Sequence, residues 1–386
     1  MRMEPKDGAA RLRRYVAADL VPAWLPRAIA PDGLFHERLG ADLRPLDPGY
    51  RRLLSQCRQA FSFAEAAALG GPPEALEVAR GTWSRTLAAY ADPAGDAYRF
   101  ALGDGAPLPS GTRHLYAYAF VTLADATLRR RVPGTPPAAP DPLALIASQF
   151  PRPGGGFHAA LDERGAPRPG PLAQNPHMHL FEACLFRLDL GPDPLAGAML
   201  ATLADLLLDR FLDPADGTLR EYPEDQPSDA GRGAVREVGH HYEWAWLIAR
   251  GLRMGVPLAR RAELEAAAVR LLEWAVGRVL EHPEGSTPDE VDAAGKVLTP
   301  TRRIWPVLEA VKAHAFAREM AWHVAGAAAA ERRLWDLLFA RYLREGTGTW
   351  TEVLDAELRP KVTDHPATTP YHIVMAAREL EWLGRR

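Results

Sequence analysis

Four residues able to hold oxygen or move protons recur at nearly one interval along this chain: Arg58, His179, His240 and His372. They lie 21 to 23 residues after Phe35, Phe157, Leu219 and Trp350, each of which stands one or two residues after a glycine. An imidazole titrates near neutrality and so can take or give a proton there, while a guanidinium stabilises a developing oxyanion. His179 is followed three residues later by Glu182, and His240 by Glu243, a spacing that puts both groups on one helix face. A neighbouring carboxylate raises imidazole basicity and fixes its tautomer. Such a set suits abstraction of a proton beside a carbonyl through an enediolate, with no metal and no cofactor expected.

Other chemistries lack their parts. There is no GxSxG elbow, Walker loop or Rossmann fingerprint, and no HExxH or CxxC. His177 and His179 at i and i+2, like the adjacent His240 and His241, diverge on a helix and do not chelate one ion. His177 reads as a supporting or structural residue. His36, His114, His158, His282, His314, His323 and His365 fall outside the interval and read as surface or packing residues. Trp244 and Trp246 read as core, whereas Trp305 is equally suited to stacking on the apolar face of a sugar.

The elements that must position these groups form a repeat. The segments GLFHERLGADLRP, AYRFALGDGAP, GFHAALDERGAP and GTWTEVLDAELRP share a hairpin pattern, with GTLREYPEDQP as a weaker copy. Their anchors Phe35, Tyr98, Phe157, Leu219 and Trp350 are spaced by 63, 59, 62 and 131 residues, so a degenerate copy is expected near Val297. Between hairpins the apolar period changes to about 3.6, with room for two helices in each unit. Six helix pairs predict an all-α (α/α)6 barrel with short β-hairpins at one end, a single domain over residues 1–386, completed by an N-terminal helix around Leu12 to Leu25. In the second unit the same offset falls on Tyr118 to Phe120, and in the fifth the helix begins at Trp305 and carries Glu309.

Composition agrees with a soluble protein that acts on a small molecule. Hydrophobic residues are 47% and charged residues 25%, ordinary globular proportions. The 46 Lys and Arg against 49 Asp and Glu leave a charge of -3, which supplies no basic face for nucleic acid. Cys57 and Cys184 lie in apolar helical patterns and read as buried thiols of a reducing compartment. With no leader-like apolar start and no run long enough to span a membrane, a cytoplasmic monomer or homodimer is expected.

The motifs QCRQAFSFAEA (56–66), NPHMHLFEA (175–183), GHHYEWAWLI (239–248), IWPVLEAVKA (304–313) and TTPYHI (368–373) resemble the N-acylglucosamine 2-epimerase superfamily over nearly the whole chain. That resemblance implies an (α/α)6 barrel and a cofactor-free epimerase or aldose-ketose isomerase. It implies His240 and His372 as the acid–base pair, Arg58 and His179 as ligands of the C1 and C2 oxygens, and Asn175, Glu243, Trp305 and Glu309 as lining residues. Cellobiose epimerases of the superfamily tend to carry Trp-Lys-Gly before the last Tyr-His, where this chain has Ala367, Thr368, Thr369 and Pro370, so a disaccharide is not favoured. The chain is most similar in style to the mannose isomerase-like branch, and mannose–fructose interconversion is the expected reaction. The alternatives are 2-epimerisation of N-acetylglucosamine or glucose, a glycoside hydrolase using Glu243 and Glu309, and a sugar-binding protein without catalysis.

Overall fold

A computed structural model of the protein describes residues 4–224 and 232–384, and it is mainly helical with strands of two or three residues. Every anchor sits in a tight hairpin. Phe35 bridges Ile29, Tyr98 bridges Ala91, Phe157 bridges Pro151 and Leu219 bridges Leu212, while Trp350 pairs with Leu343. Gly33, Gly217 and Gly348, each two residues before its anchor, have φ of +79°, +73° and +67°. Any side chain would be strained in that conformation, which is why these turns carry glycine.

A second bridge follows ten residues past the anchor, at Pro167 with Leu161 and at Pro360 with Leu354. Val297 makes this same second bridge, with Val291. The degenerate fifth copy is therefore anchored ten residues before Val297, at Thr287. The weaker copy GTLREYPEDQP keeps its first bridge at Leu219, and its last three residues lie outside the described residues.

Two kinds of helix alternate. Leu53–Ala68 buries every residue from Leu53 to Ala66, and Val238–Arg253 every residue from Val238 to Leu252. Their partners bury one stripe only: Glu74–Tyr90 buries Ala75, Ala79, Thr82, Trp83, Thr86 and Tyr90, the spacing of an amphipathic helix with one wet face. The site residues lie on the fully buried kind, where a polar side chain must be paired to be tolerated.

The described residues divide into two compact units. In the first, residues 21–203 and 364–371, Leu53–Ala68 packs on Glu74–Tyr90 and on Leu115–Arg131, which packs in turn on Gln174–Leu188. In the second, residues 4–20, 204–363 and 372–384, Val238–Arg253 packs on Arg261–Leu280 and on Trp305–Glu319. The N-terminal segment is Pro5–Arg14, a π-helical turn over Tyr15–Leu20 and Val21–Trp24.

Within each unit, neighbouring repeats are stitched together by strands. Tyr50–Arg52 pairs with Ala101–Gly103, Arg113–His114 with Ala160–Leu161, and Arg302–Arg303 with Val353–Leu354. The first N–H of a buried helix is received by a carbonyl two residues past the next anchor, as from Leu53 to Phe100 at 2.9 Å and from Leu115 to Ala159 at 3.0 Å. Ala367, two residues before the helix Thr369–Gly384, donates likewise to Glu37 at 3.0 Å, beside the pairing of Leu39 with His365. Residues 364–371 are therefore held to the first hairpin within this one unit.

Candidate active site

In four of the buried helices a side chain near the start ties down the preceding hairpin. Gln56 Oε1 accepts from the Phe35 N–H at 2.7 Å, and the Tyr118 hydroxyl accepts from Tyr98 at 2.9 Å. His177 Nε2 accepts from Phe157, and His241 Nε2 from Leu219, both at 3.0 Å. In both histidines Nδ1 faces a carbonyl one helical turn earlier, of Ala173 or Glu237. Burial pushes His177 and His241 down to about 4, so each stays neutral, as an acceptor must. Replacing His177 by Leu is expected to cost about 1–3 kcal/mol in urea melts, the cost of an unsatisfied buried donor. Gln, which does this task at position 56, should restore most of it.

Two residues past the tie, the helices of the first unit bring three predicted positions together: Arg58, Phe120 and His179. The Arg58 guanidinium lies 4.3 Å from the Phe120 ring centre and 4.7 Å from that of Tyr371, and it donates to the Tyr116 hydroxyl at 2.7 Å. The His179 ring centre is 5.0 Å from those of both Tyr116 and Phe120, and its Nδ1 meets Glu182 Oε2 at 2.9 Å, as the spacing predicted. Arg58 is 5% and His179 2% exposed, so both charges and dipoles act at low dielectric. Asn175 sits in the first turn of Gln174–Leu188; its Oδ1 has no partner among the described residues.

In the second unit His240 and His372 flank one indole. Their ring centres lie 4.9 Å and 5.8 Å from that of Trp305. Gly239 makes room for this: a Cβ there would fall 2.3 Å from Trp305 Cζ3. His372 Nδ1 meets Glu309 Oε1 at 2.8 Å. Glu309 Oε2 accepts from Trp246 Nε1 at 2.7 Å and pairs with Lys312 Nζ at 2.7 Å. Burial alone would raise the Glu309 carboxyl, but Lys312 and His372 outweigh it and hold it at about 2.

The partner of His240 corrects the expectation from spacing. His240 Nδ1 meets Glu221 Oε1 at 2.9 Å, with Glu237 Oε1 at 3.8 Å, so Glu221 and not Glu243 is the first carboxylate on the ring. Side chains of a helix lean toward its N-terminus, and the hairpin carrying Glu221 lies on that side. Burial opposes charge on His240, yet Glu221 and then Glu237 raise it to about 9. Glu237 is shared with Arg303, at 2.8 Å. The interval is also off by one here, because His241 is the tie and Glu243, 1% exposed, stands two residues beyond it.

Sequence reasoning missed Glu221, Glu237, Lys312, Tyr116 and Tyr371, and placed Trp246 in the core alone. A signal existed for Glu221: GLFHE, GTLRE and GTWTE all carry Glu two residues past the anchor. Ligand atoms of Glu221, Glu237 and His240 lie within 4.8 Å of one another, close enough to receive a cation. The Arg303 guanidinium on Glu237 already supplies positive charge there. With each Nδ1 engaged by a carboxylate, the two imidazoles are equipped to exchange protons through Nε2.

The N-acylglucosamine 2-epimerase (GlcNAc 2-epimerase) family profile matches residues 33–376. A Rhizobium meliloti (strain 1021) protein named mannose-6-phosphate isomerase is 33% identical over 356 residues, 86% of each chain. The solved cellobiose 2-epimerase of Spirochaeta thermophila DSM 6192 is 19% identical with a TM-score of 0.82, covering 98% of this chain and 97% of its own. A solved D-mannose isomerase is 20% identical with a TM-score of 0.78 over 97% of each chain. The fold is thus the all-α (α/α)6 barrel that the six-unit repeat predicts, and the enzyme class is that of sugar epimerases and isomerases. The chain belongs to the N-acylglucosamine 2-epimerase family. Among the described residues, no helix is long and apolar enough to cross a membrane.

Proposed function

We propose that this enzyme interconverts an aldose and a ketose, mannose and fructose, by proton transfer through an enediolate. The observation that carries the reading is the pair of carboxylate-held imidazoles on either side of Trp305. One histidine of the pair takes the C2 proton and delivers it to C1; the other assists ring opening. Arg58 and His179 hold the C1 and C2 oxygens, and Asn175, Glu243, Trp305 and Glu309 line the site, in the roles the family resemblance implies. All of these residues serve one catalytic domain that spans the chain, and the reaction uses no cofactor or metal.

Two further observations favour this over hydrolysis. A glycosidase acid needs a carboxyl raised toward neutrality, whereas Glu309 is held at about 2. Its two oxygens are occupied by His372, Trp246 and Lys312. Epimerisation at C2 uses the same enediolate and differs only in where the proton returns. Product analysis with mannose separates the two, since fructose marks the isomerase and glucose the epimerase.

The charge on His240 gives a pH signature. His240 keeps its proton at neutrality, so activity that needs this acid falls as pH rises through about 9. In Glu221→Gln the first carboxylate is lost, and the alkaline limb of kcat/KM is expected to move down by about one pH unit or more. Because the folded value is raised, this ion pair also stabilises the fold fully below about pH 6.5 and ceases to do so above about 9. An alkaline limb unmoved in Glu221→Gln would separate His240 from the acid role.

A further inference from the structure

In the four buried helices that carry a tie, the N-cap stands one helical turn before it, at the end nearest the hairpins. These N-caps are Arg52, His114, Ala173 and Glu237. Glu237 reaches His240 from this position, at 3.8 Å. Arg52 is engaged by Glu37, which accepts from its Nε at 2.6 Å and from its backbone N–H at 2.9 Å. Ala173 has no polar side chain. His114 has one, and neither of its ring nitrogens meets a hydrogen-bond partner among the described residues. A polar atom in that state is costly unless something else in the working protein pairs with it.

His114 falls outside the interval that marks Arg58 and His179, yet the first unit brings it beside the tyrosine that joins those two. Successive side chains of the strand Arg113–His114 point to opposite faces. Arg113 turns to Gln149 at 2.7 Å and Asp92 at 3.4 Å. His114 takes the other face, its ring centre 5.2 Å from that of Phe100 and 6.3 Å from that of Tyr116. Tyr116 is the phenol that receives Arg58 at 2.7 Å and lies 5.0 Å from the His179 ring. The residue is partly exposed although Nδ1 is buried, so Nε2 is the nitrogen that a solute can reach. Burial, and then the charge of Arg52, push His114 down to about 4, so the ring is neutral and offers one donor and one acceptor. A sugar hydroxyl is both donor and acceptor and matches either tautomer.

We propose that His114 is a specificity-determining residue whose Nε2 hydrogen-bonds a hydroxyl of the sugar beyond C2. The inference rests on the reaction proposed above, in which Arg58 and His179 hold the C1 and C2 oxygens. Tyr116 stands between Arg58 and His114, so the hydroxyl that His114 meets lies further along the sugar chain. That hydroxyl does not change during proton transfer, so its hydrogen bond is made equally to substrate and transition state and acts on KM.

The test is the kinetics of full-length wild type and His114→Phe, a variant that keeps a ring against Phe100 and Tyr116 and removes both nitrogens. With D-mannose, His114→Phe is expected to lower kcat/KM about 3–10-fold, the value of one neutral hydrogen bond, through KM with kcat held. Mannoses deoxygenated at C3, C4, C5 or C6 are then compared, with the inhibition constant against mannose read for any that is not turned over. One of them should be bound equally by both enzymes, because it lacks the hydroxyl that His114 meets, and the others should keep the full difference. An undiminished kcat/KM for mannose in His114→Phe, a loss carried by kcat alone, or an equal loss on every sugar would overturn the proposal. If His114→Phe does not fold, His114→Ala is read against the same series by the same criterion. Uniform loss in an enzyme active on mannose sinks the proposal alone, whereas a wild type inert to mannose sinks the reading of the reaction and the proposal with it.

Discussion

Replacing His372 by Asn is expected to lower kcat for mannose–fructose interconversion by about 10²–10⁴-fold, the range that a positioned general base contributes. The size follows from the lack of a substitute. Of the two groups that share Trp305 and the carboxylate with His372, His240 is held charged by Glu221 and Glu237, and Glu309 is held at about 2. Neither is basic in the form it adopts at neutral pH. The Asn amide can place an N–H where Nδ1 stands and still donate to Glu309, so KM and the melting curve should change little. His240→Asn should cost as much in product formation. The two variants should differ in solvent exchange, because loss of the base stops exchange of the C2 proton while loss of the acid leaves a residue of it. Wild-type turnover in either variant would remove that histidine from the mechanism.

Glu309→Gln should produce the second large effect, and it should appear in both stability and rate. The substitution leaves the Lys312 ammonium buried without its counter-charge, a loss of about 3–5 kcal/mol when one partner of a buried pair is removed. Gln keeps only one acceptor oxygen, so it cannot receive both His372 Nδ1 and Trp246 Nε1 as the carboxylate does. The imidazole then lacks a fixed tautomer, so kcat should drop about 10–100-fold even in the folded fraction, by analogy with the loss of ligand-orienting partners. The pH dependence has a definite sign. The Glu309 carboxyl is depressed in the fold, so its stabilisation is present above about pH 4.5 and is lost as pH falls toward about 2. Urea melts at pH 7 and pH 3 should therefore bring wild type and Glu309→Gln closer together at the lower pH. A wild-type melting curve for Glu309→Gln at pH 7 would show that the network carries no stability.

How much of this was legible in the sequence depended on whether a residue's job is set by its own repeat. The hairpin anchors were legible because Gly33, Gly217 and Gly348 are demanded by a left-handed turn, and such demands leave a spaced pattern. Arg58, Phe120 and His179 were legible because each stands two residues past a tie to its anchor. The interval could not distinguish His240 from His241, since one residue of slip is within its scatter but turns the side chain by about 100° on a helix. His241 makes the tie and stacks on Trp274 at 4.1 Å, and that decides the matter in three dimensions. The partners of the histidines were illegible for a related reason. Glu221 is 19 residues from His240, and Glu309 is 63 from His372. Pairings across such distances are chosen by packing, not by local spacing.

The central claim is that the two histidines move the C2 proton of a simple sugar without a metal. Proton NMR of D-mannose with the enzyme in D2O and EDTA tests it most directly, following the C2 proton and the sugars formed. The account predicts fructose as the first product, with loss of both product and C2 exchange in His372→Asn. No exchange with mannose, glucose or N-acetylmannosamine, or fructose formed at the wild-type rate by His372→Asn, would contradict it.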